Sequence, residues 1–226
     1  MKKTLSILFI LTISISLLQA QEDNKTNSQG SMLTFNLVSP IIDYTPRWNI
    51  GYTKPLNEKW LIGLELGYGN HDITIVDYNR IEKDYKLWEI RPQVYYILNP
   101  NYKMKMYLSA ELFYINHTDT FFNENYNINN NSQNIRYDKA DYKRIKTGGN
   151  LNFGAFINFS KYIGVNPSIG LGVRNRNVSY SNVVNPQETM FNDDDGDWFG
   201  TNNYIEDTGN NFNINFALNL KLYYRF

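Results

Sequence analysis

The chain ends on FNINFALNLKLYYRF, residues 212–226, a stretch in which every even position carries an apolar side chain. Most of the odd positions carry asparagine, lysine or arginine. A period of two is the pattern of a β-strand with one apolar face and one polar face. An ordinary strand has ~5 to 6 residues, whereas a tilted strand that crosses a bilayer needs ~9 to 11. The stretch therefore predicts a strand long enough to cross a membrane.

Seven earlier stretches show the same alternation and predict seven further strands. They lie at 33–37, 48–52, 60–68, 88–96, 106–114, 151–159 and 163–173. Alternate connections are short turns, at 55–59, 99–103 and 160–162. The others are a modest connection at 39–45 and long polar ones at 70–85, 116–146 and 175–211. Short turns at one end and long loops at the other are typical of outer-membrane barrels, with the turns in the periplasm and the loops outside the cell.

The fold prediction is therefore an all-β, eight-stranded antiparallel up-and-down transmembrane β-barrel over residues 31–226, with both termini in the periplasm. The alternative is a soluble β-sandwich with ordinary core aromatics. Aromatic spacing favours the barrel. Three strands carry aromatics eight residues apart on the apolar face, namely Trp60 and Tyr68, Trp88 and Tyr96, and Phe216 and Tyr224. That spacing corresponds to roughly 20 Å across a membrane, close to the separation of two interfacial aromatic girdles.

The first twenty residues have the pattern of a secretory signal peptide. Lys2 and Lys3 precede an apolar stretch, and Leu18-Gln19-Ala20 forms a small-residue cleavage site. An uncleaved anchor helix is the alternative, but the apolar stretch is short for that role. Residues 21–30 are polar and aperiodic, which predicts a flexible leader before the barrel.

Composition excludes several classes of protein. The 22 Lys and Arg residues balance the 22 Asp and Glu residues, so the chain lacks the basic excess that a nucleic-acid partner requires. No cysteine is present. This excludes disulfides, thiolate metal sites, a cysteine nucleophile and a lipid anchor on an N-terminal cysteine. After residue 20 no apolar run approaches the ~20 residues of a transmembrane helix.

Four charged residues are predicted to form an ionic layer inside the barrel. On each of strands two to five, the residue five positions from the periplasmic end of the strand is charged. These residues alternate in sign across neighbouring strands: Arg47, Glu65, Arg91 and Glu111. All four occupy positions that face inward. Isolated charges in a low-dielectric interior would cost several kcal/mol each, so we expect them to pair and to occlude the lumen.

Other candidate sites are weak, and we predict neither an enzyme nor a cofactor. The two histidines, His71 and His117, are interpreted as ordinary residues at the bases of loops, because no serine is placed beside either of them for a deacylase. An acidic run in the last loop supplies oxygen ligands that suit a divalent ion, and it contains Asp193, Asp194, Asp195 and Asp197. Phe191 stands where the EF-hand pattern needs a carboxylate. A solvated loop tip and a weak divalent site both remain open.

Together, the signal peptide, the eight strands and the ending Leu222-Tyr223-Tyr224-Arg225-Phe226 resemble the small outer-membrane β-barrels of Gram-negative bacteria, the OmpA/OmpX-like group. The stretch 90–96 also resembles a fourth strand common in that family. The resemblance implies that Tyr224 and Phe226 form the signal read by the barrel-assembly machinery. It also implies an outer-membrane location, among lipid and lipopolysaccharide. The peptidoglycan-binding domain of OmpA has no counterpart after Phe226, so tethering to the cell wall is not expected.

These predictions favour a structural or surface-interaction role, carried by long extracellular loops whose ligand the sequence does not identify. An eight-stranded barrel is just wide enough for its own side chains to fill, which disfavours an open pore. Two alternatives stay open: a narrow channel for ions or small solutes, and a lipid-modifying enzyme.

Overall fold

The computed structural model describes residues 30–42, 45–75, 82, 84–128, 133–189 and 205–226. Three predictions lie outside these residues: the signal peptide, almost all of the leader, and the acidic run with Asp193, Asp194, Asp195 and Asp197. Among the helices of the described residues, none has the length and apolar character needed to cross a membrane.

Eleven strands make up the described part of the chain. They are β1 (Met32–Asn36), β2 (Trp48–Pro55), β3 (Trp60–Asn70), β4 (Lys86–Ile97), β5 (Lys105–Phe122), β6 (Asn125–Ile128), β7 (Gln133–Arg136), β8 (Lys139–Asn158), β9 (Ile163–Val184), β10 (Gln187–Thr189) and β11 (Gly209–Arg225). Two short 3-10 helices, Ser39–Ile41 and His71–Ile73, lie between strands.

Eight strands form one antiparallel sheet, in the order β1-β2-β3-β4-β5-β8-β9-β11. β1 pairs with β2 on one side and with β11 on the other, so the sheet closes into a ring. The predicted all-β fold with eight antiparallel strands is thus confirmed. The short turns lie where they were predicted, at one end of the ring together with Gly30 and Phe226. We call this the turn end, and the opposite end the hairpin end.

The long connections predicted at 116–146 and 175–211 are wrong in extent. β5 continues to Phe122, β8 begins at Lys139, and β9 continues to Val184. The apolar alternation ends earlier because the outward positions turn polar at Asn116 and Thr118, while the inward side chains stay buried. The apolar alternation therefore ends where the outer face becomes polar, whereas the hydrogen-bonded pairing of the strands continues beyond that point.

A small second sheet was missed by the sequence analysis. Strands β6, β7 and β10 pair in the order β10-β7-β6 at the hairpin end. Each has only three or four residues, too few for a clear alternation. Beside this sheet Phe121, Tyr137, Tyr142, Val178 and Ile205 form a buried apolar cluster.

Polarity is inverted between the two faces of the ring. The outward side chains are apolar and exposed, as in Phe216 with 82% exposure and Leu151 with 73%. We call this surface the apolar band. Many inward side chains are polar and buried, as in Glu89 with 1% exposure. In a water-soluble protein the buried residues would be the apolar ones.

Aromatic side chains fill the interior at the turn end. The buried cluster there consists of Met32, Leu61, Tyr95, Ile97, Tyr107, Phe156 and Tyr223. Two glycines leave room for the tyrosine rings. A Cβ atom on Gly154 would lie 2.5 Å from Tyr107 Oη, and one on Gly164 would lie 2.3 Å from Tyr223 Oη. Any larger residue at either position would displace a ring.

Candidate functional site

An ionic network crosses the interior above the aromatic cluster, with Arg91 of β4 at its centre. Its Nη1 donates to Glu111 Oε1 of β5 at 2.8 Å, and its Nη2 donates to Glu89 Oε2 at 3.1 Å. Arg47, just before β2, lies with its Nε 2.8 Å from the other oxygen of Glu89. The Glu89 carboxylate thus joins two guanidinium groups.

A second ion pair closes the network on the far side of the ring. Lys221 of β11 contacts Glu65 of β3 through its ammonium group. Asn49 also donates to Glu65 at 3.0 Å, and Asn150 of β8 donates to Glu111 at 2.9 Å. Side chains from β2, β3, β4, β5, β8 and β11 therefore meet in one network. Three carboxylates in it face three cationic groups, so the network is balanced in charge.

The structure places all four predicted residues in this network, but it pairs them differently from the sequence analysis. Arg91 and Glu111 contact each other directly. Arg47 pairs with Glu89 and Glu65 pairs with Lys221, two partners that the sequence analysis did not name. The count assumed that the strand ends lie level, whereas neighbouring strands in a tilted ring are staggered. The alternation marks Glu89 and Lys221 as inward-facing, but it does not give their heights along the barrel and so does not pair them.

The two histidines have different surroundings. His71 lies in an exposed 3-10 helix, where its Nδ1 is 3.4 Å from Asp72. His117 of β5 is buried, with 2% exposure. The rings of Tyr85 and Tyr142 meet it edge-on, with centroid distances of 5.0 and 5.1 Å. The sequence predicts an ordinary residue at the base of a loop, but His117 lies within β5 and is packed into the interior.

No family model matches this chain, and no curated protein matches it. The resemblance to the OmpA/OmpX-like group stays a prediction. Within the described ranges, no group of three or more histidine, aspartate or glutamate side chains is arranged to hold a metal ion. Function must therefore be inferred from the polar interior and from the groups at the hairpin end.

Asp119 is a buried carboxyl group at the hairpin end with a shifted pKa. It lies five residues beyond Tyr114, where the outer face of β5 has already turned polar, and therefore outside the apolar band. Its Oδ1 accepts a hydrogen bond from the backbone of Thr120 at 2.9 Å, and the residue is buried with 4% exposure. Burial raises the pKa of Asp119 to about 7; backbone hydrogen bonds from Thr120 and Glu82 oppose this rise, and the charges of Glu82 and Asp84 add to it.

We expect Asp119→Asn to remove a pH dependence of stability. Because the pKa of Asp119 is raised, the folded state holds a proton that the unfolded state releases between about pH 4 and pH 7. Stability should therefore fall as the pH rises through this window, by up to about 1.4 kcal/mol per pH unit. Urea unfolding of the purified protein at a series of pH values measures this slope. Asp119→Asn should flatten it and stabilise the protein at pH 8, whereas the exposed control Asp72→Asn should leave the slope unchanged. Equal slopes in all three proteins would contradict the assignment.

Proposed function

We propose that this chain is an integral outer-membrane β-barrel that is occluded by its own side chains and interacts with its surroundings through its hairpin end. The inverted polarity of the ring carries this proposal. Monomeric soluble proteins rarely expose contiguous apolar patches beyond a few hundred Å². An apolar band around the whole ring suits a hydrocarbon environment instead, and ring closure leaves few unpaired backbone groups to face lipid.

Aromatic pairs at the two edges of the apolar band support the same proposal. At the turn end the rings of Trp60 and Tyr96 lie 4.9 Å apart. Toward the hairpin end Trp88 and Tyr114 stack with centroids 5.1 Å apart. Tryptophan and tyrosine concentrate at membrane–water interfaces, because their rings are apolar and their N–H and O–H groups stay hydrated. These two aromatic pairs lie where the two aromatic girdles of a membrane barrel are expected.

The ionic network and the aromatic cluster favour a structural or interaction role over transport. Solutes that crossed the ring would have to break ion pairs joined by hydrogen bonds and then pass the packed tyrosines. A lipid-modifying enzyme of the deacylase type would need an accessible histidine with a serine beside it: His117 is enclosed by Tyr85 and Tyr142, and the exposed His71 has Asp72 at its Nδ1. The extended hairpins are the part of the chain left to meet a partner outside the membrane.

Single-cysteine labelling tests both the insertion and its direction, since the chain has no cysteine of its own. Gln187→Cys lies at the hairpin end and Glu58→Cys in a short turn, and both positions are exposed. In intact Gram-negative cells, a membrane-impermeant maleimide should label Gln187→Cys and should label Glu58→Cys only after the outer membrane is permeabilised. The opposite order would invert the orientation, and equal labelling of both in intact cells would contradict insertion. Steady single-channel conductance of the purified protein would favour the alternative of a narrow channel.

A further inference from the structure

A groove of about 250 Å³ crosses the apolar band where β1 meets β2 and β11. Its walls are two rows of outward side chains, and the members of each row are neighbours in strand register. One row holds Ile50, Phe35 and Leu222, and the other holds Leu33, Tyr224 and Ile163. The floor between the rows is the paired backbone of Thr34 and Tyr223, whose own side chains are buried inside the ring. The groove is therefore apolar and follows the direction of the rows.

The groove is open because aromatic rings of its walls pack away from it. The ring of Phe35 lies 5.3 Å from that of Trp48, on the hairpin side of the groove. The ring of Tyr224 stacks at 6.2 Å from Tyr162 and at 6.4 Å from Phe226, on the turn side. These contacts fix the rings outside the space between the two rows, so the groove does not depend on mobile side chains.

The groove is inclined to the axis of the ring because the strands are staggered. The row of paired residues that leaves Met32 through β2 passes around the ring and reaches β11 at Asn215, whereas Met32 itself pairs with Arg225. Paired neighbours therefore lie progressively nearer the hairpin end in the order β9, β11, β1, β2. The groove accordingly starts beside Ile163, close to the turn end, and rises within the apolar band to Ile50.

A cationic side chain lies at the end of the groove nearest the turns. Lys161 is exposed and lies two positions before Ile163. Its Nζ is 5.3 Å from the centre of the Tyr162 ring, which stacks on Tyr224 of the groove wall. The short turns at this end, all within the described residues, carry more basic than acidic side chains: Lys59, Lys103 and Lys161 against Glu58. Basic side chains at the edge of an apolar membrane surface attract anionic lipid head groups.

We propose that this groove holds one acyl chain of an anionic phospholipid, with the phosphate of that lipid beside Lys161. An acyl chain is apolar along its length and suits two apolar walls above a floor of paired backbone. The inclination of the groove leads such a chain from a head group at the turns into the apolar band. The proposal rests on the proposed membrane insertion and adds to it the class of lipid that is bound at the turn end.

Native mass spectrometry of the purified, folded protein tests the proposal by counting the lipids that stay bound when detergent is removed. The protein is titrated in micelles with dioleoyl phosphatidylglycerol or with dioleoyl phosphatidylcholine, which has the same chains and no net charge. One phosphatidylglycerol per chain should saturate at a lower concentration than phosphatidylcholine. Equal retention of the two lipids would overturn the proposal.

Variants that fill the groove show whether the bound lipid lies there. Leu222→Trp fills its middle and Ile50→Trp narrows its far end, and each should weaken phosphatidylglycerol binding about tenfold or more. The two lie on different strands, so the test survives if one variant folds poorly. Leu112→Trp is the control, because Leu112 is an outward residue with 65% exposure on β5, across the ring from β1. Equal lipid binding by all three variants would contradict the assignment.

A charge variant shows whether the head group lies beside Lys161. Lys161→Gln should weaken phosphatidylglycerol binding about two- to fivefold, the scale of one exposed ion pair, and should leave phosphatidylcholine binding unchanged. Lys143→Gln makes the same charge change at an exposed position on the part of β8 toward the hairpin end and should have no effect. An unchanged preference in Lys161→Gln would overturn the placement of the phosphate.

The same spectra distinguish a lipid from a second copy of the chain. A species of two chains that is abundant in wild type and lost in Leu222→Trp would assign the groove to self-association and would overturn the proposal. Membrane insertion is tested separately by the cysteine labelling in cells. A protein that passes the labelling test and shows no lipid preference would therefore contradict the lipid site alone.

Discussion

Replacing Arg91 with methionine is expected to lower the free energy of unfolding by about 3 to 5 kcal/mol. The guanidinium of Arg91 joins Glu89 and Glu111, both almost fully buried. Its loss would leave Glu111 without a cation and Glu89 with Arg47 alone. Removing one partner from a buried ionic network costs more than the net contribution of the pair, because the remaining charge stays desolvated.

Urea unfolding followed by tryptophan fluorescence measures this effect in detergent micelles. Arg91→Lys should lose less stability, since it keeps the charge but cannot bridge both carboxylates with a planar fork. The matched control is Arg136→Met on exposed β7, for which a change within about 0.5 kcal/mol is expected. If Arg91→Met and Arg136→Met unfold at the same urea concentration, the network does not stabilise the fold.

Phe226→Ser, or deletion of Phe226, should remove most of the folded protein from the outer membrane. The backbone N–H of Phe226 donates to Ser31 at 3.0 Å, so the last residue helps close β11 against β1. Its ring lies 6.4 Å from those of Tyr52 and Tyr224. The resemblance to small outer-membrane barrels implies that Tyr224 and Phe226 also present the signal for assembly. Both roles act before the fold is complete, so the loss should appear in yield.

The amount of heat-modifiable protein in outer-membrane fractions measures that yield. Phe212→Ser is a matched control, because Phe212 is an exposed aromatic near the other end of the same strand. It should retain far more folded protein than Phe226→Ser. Equal yields of the two variants would show that position 226 carries no special role in assembly.

The strands were predictable because each is amphipathic over its membrane-length part. Alternation predicted strands at 60–68 and 88–96, within two residues of the observed bounds of β3 and β4. The alternation did not predict the segments of β5, β8 and β9 that lie toward the hairpin end. Beyond Tyr114 both faces of β5 carry polar residues such as Thr118 and Asp119, and pairing with β8 supplies the stabilisation that no single-strand pattern reveals.

The interior was predictable in kind but not in its pairing. Facing direction follows from parity along one strand, so Arg91 and Glu111 could be assigned to the inside. The position of a side chain along the barrel axis depends on the stagger between strands, which no local sequence pattern encodes. For this reason the sequence does not pair Lys221 with Glu65.

In the proposed surface interaction, the length of β9 would determine how the hairpin end meets a partner. Val184, at the end of β9, lies eleven positions beyond Val173, where the apolar alternation of the outer face stops, which is roughly 35 Å along a strand. Pairing with β8 continues to the bridge between Lys139 and Val184. A contact surface at the end of this paired strand extension needs little ordering when it binds. Association therefore loses less conformational entropy than it would on a flexible loop. In the proposed outer-membrane barrel, this extension would also set how far from the bilayer a partner is met.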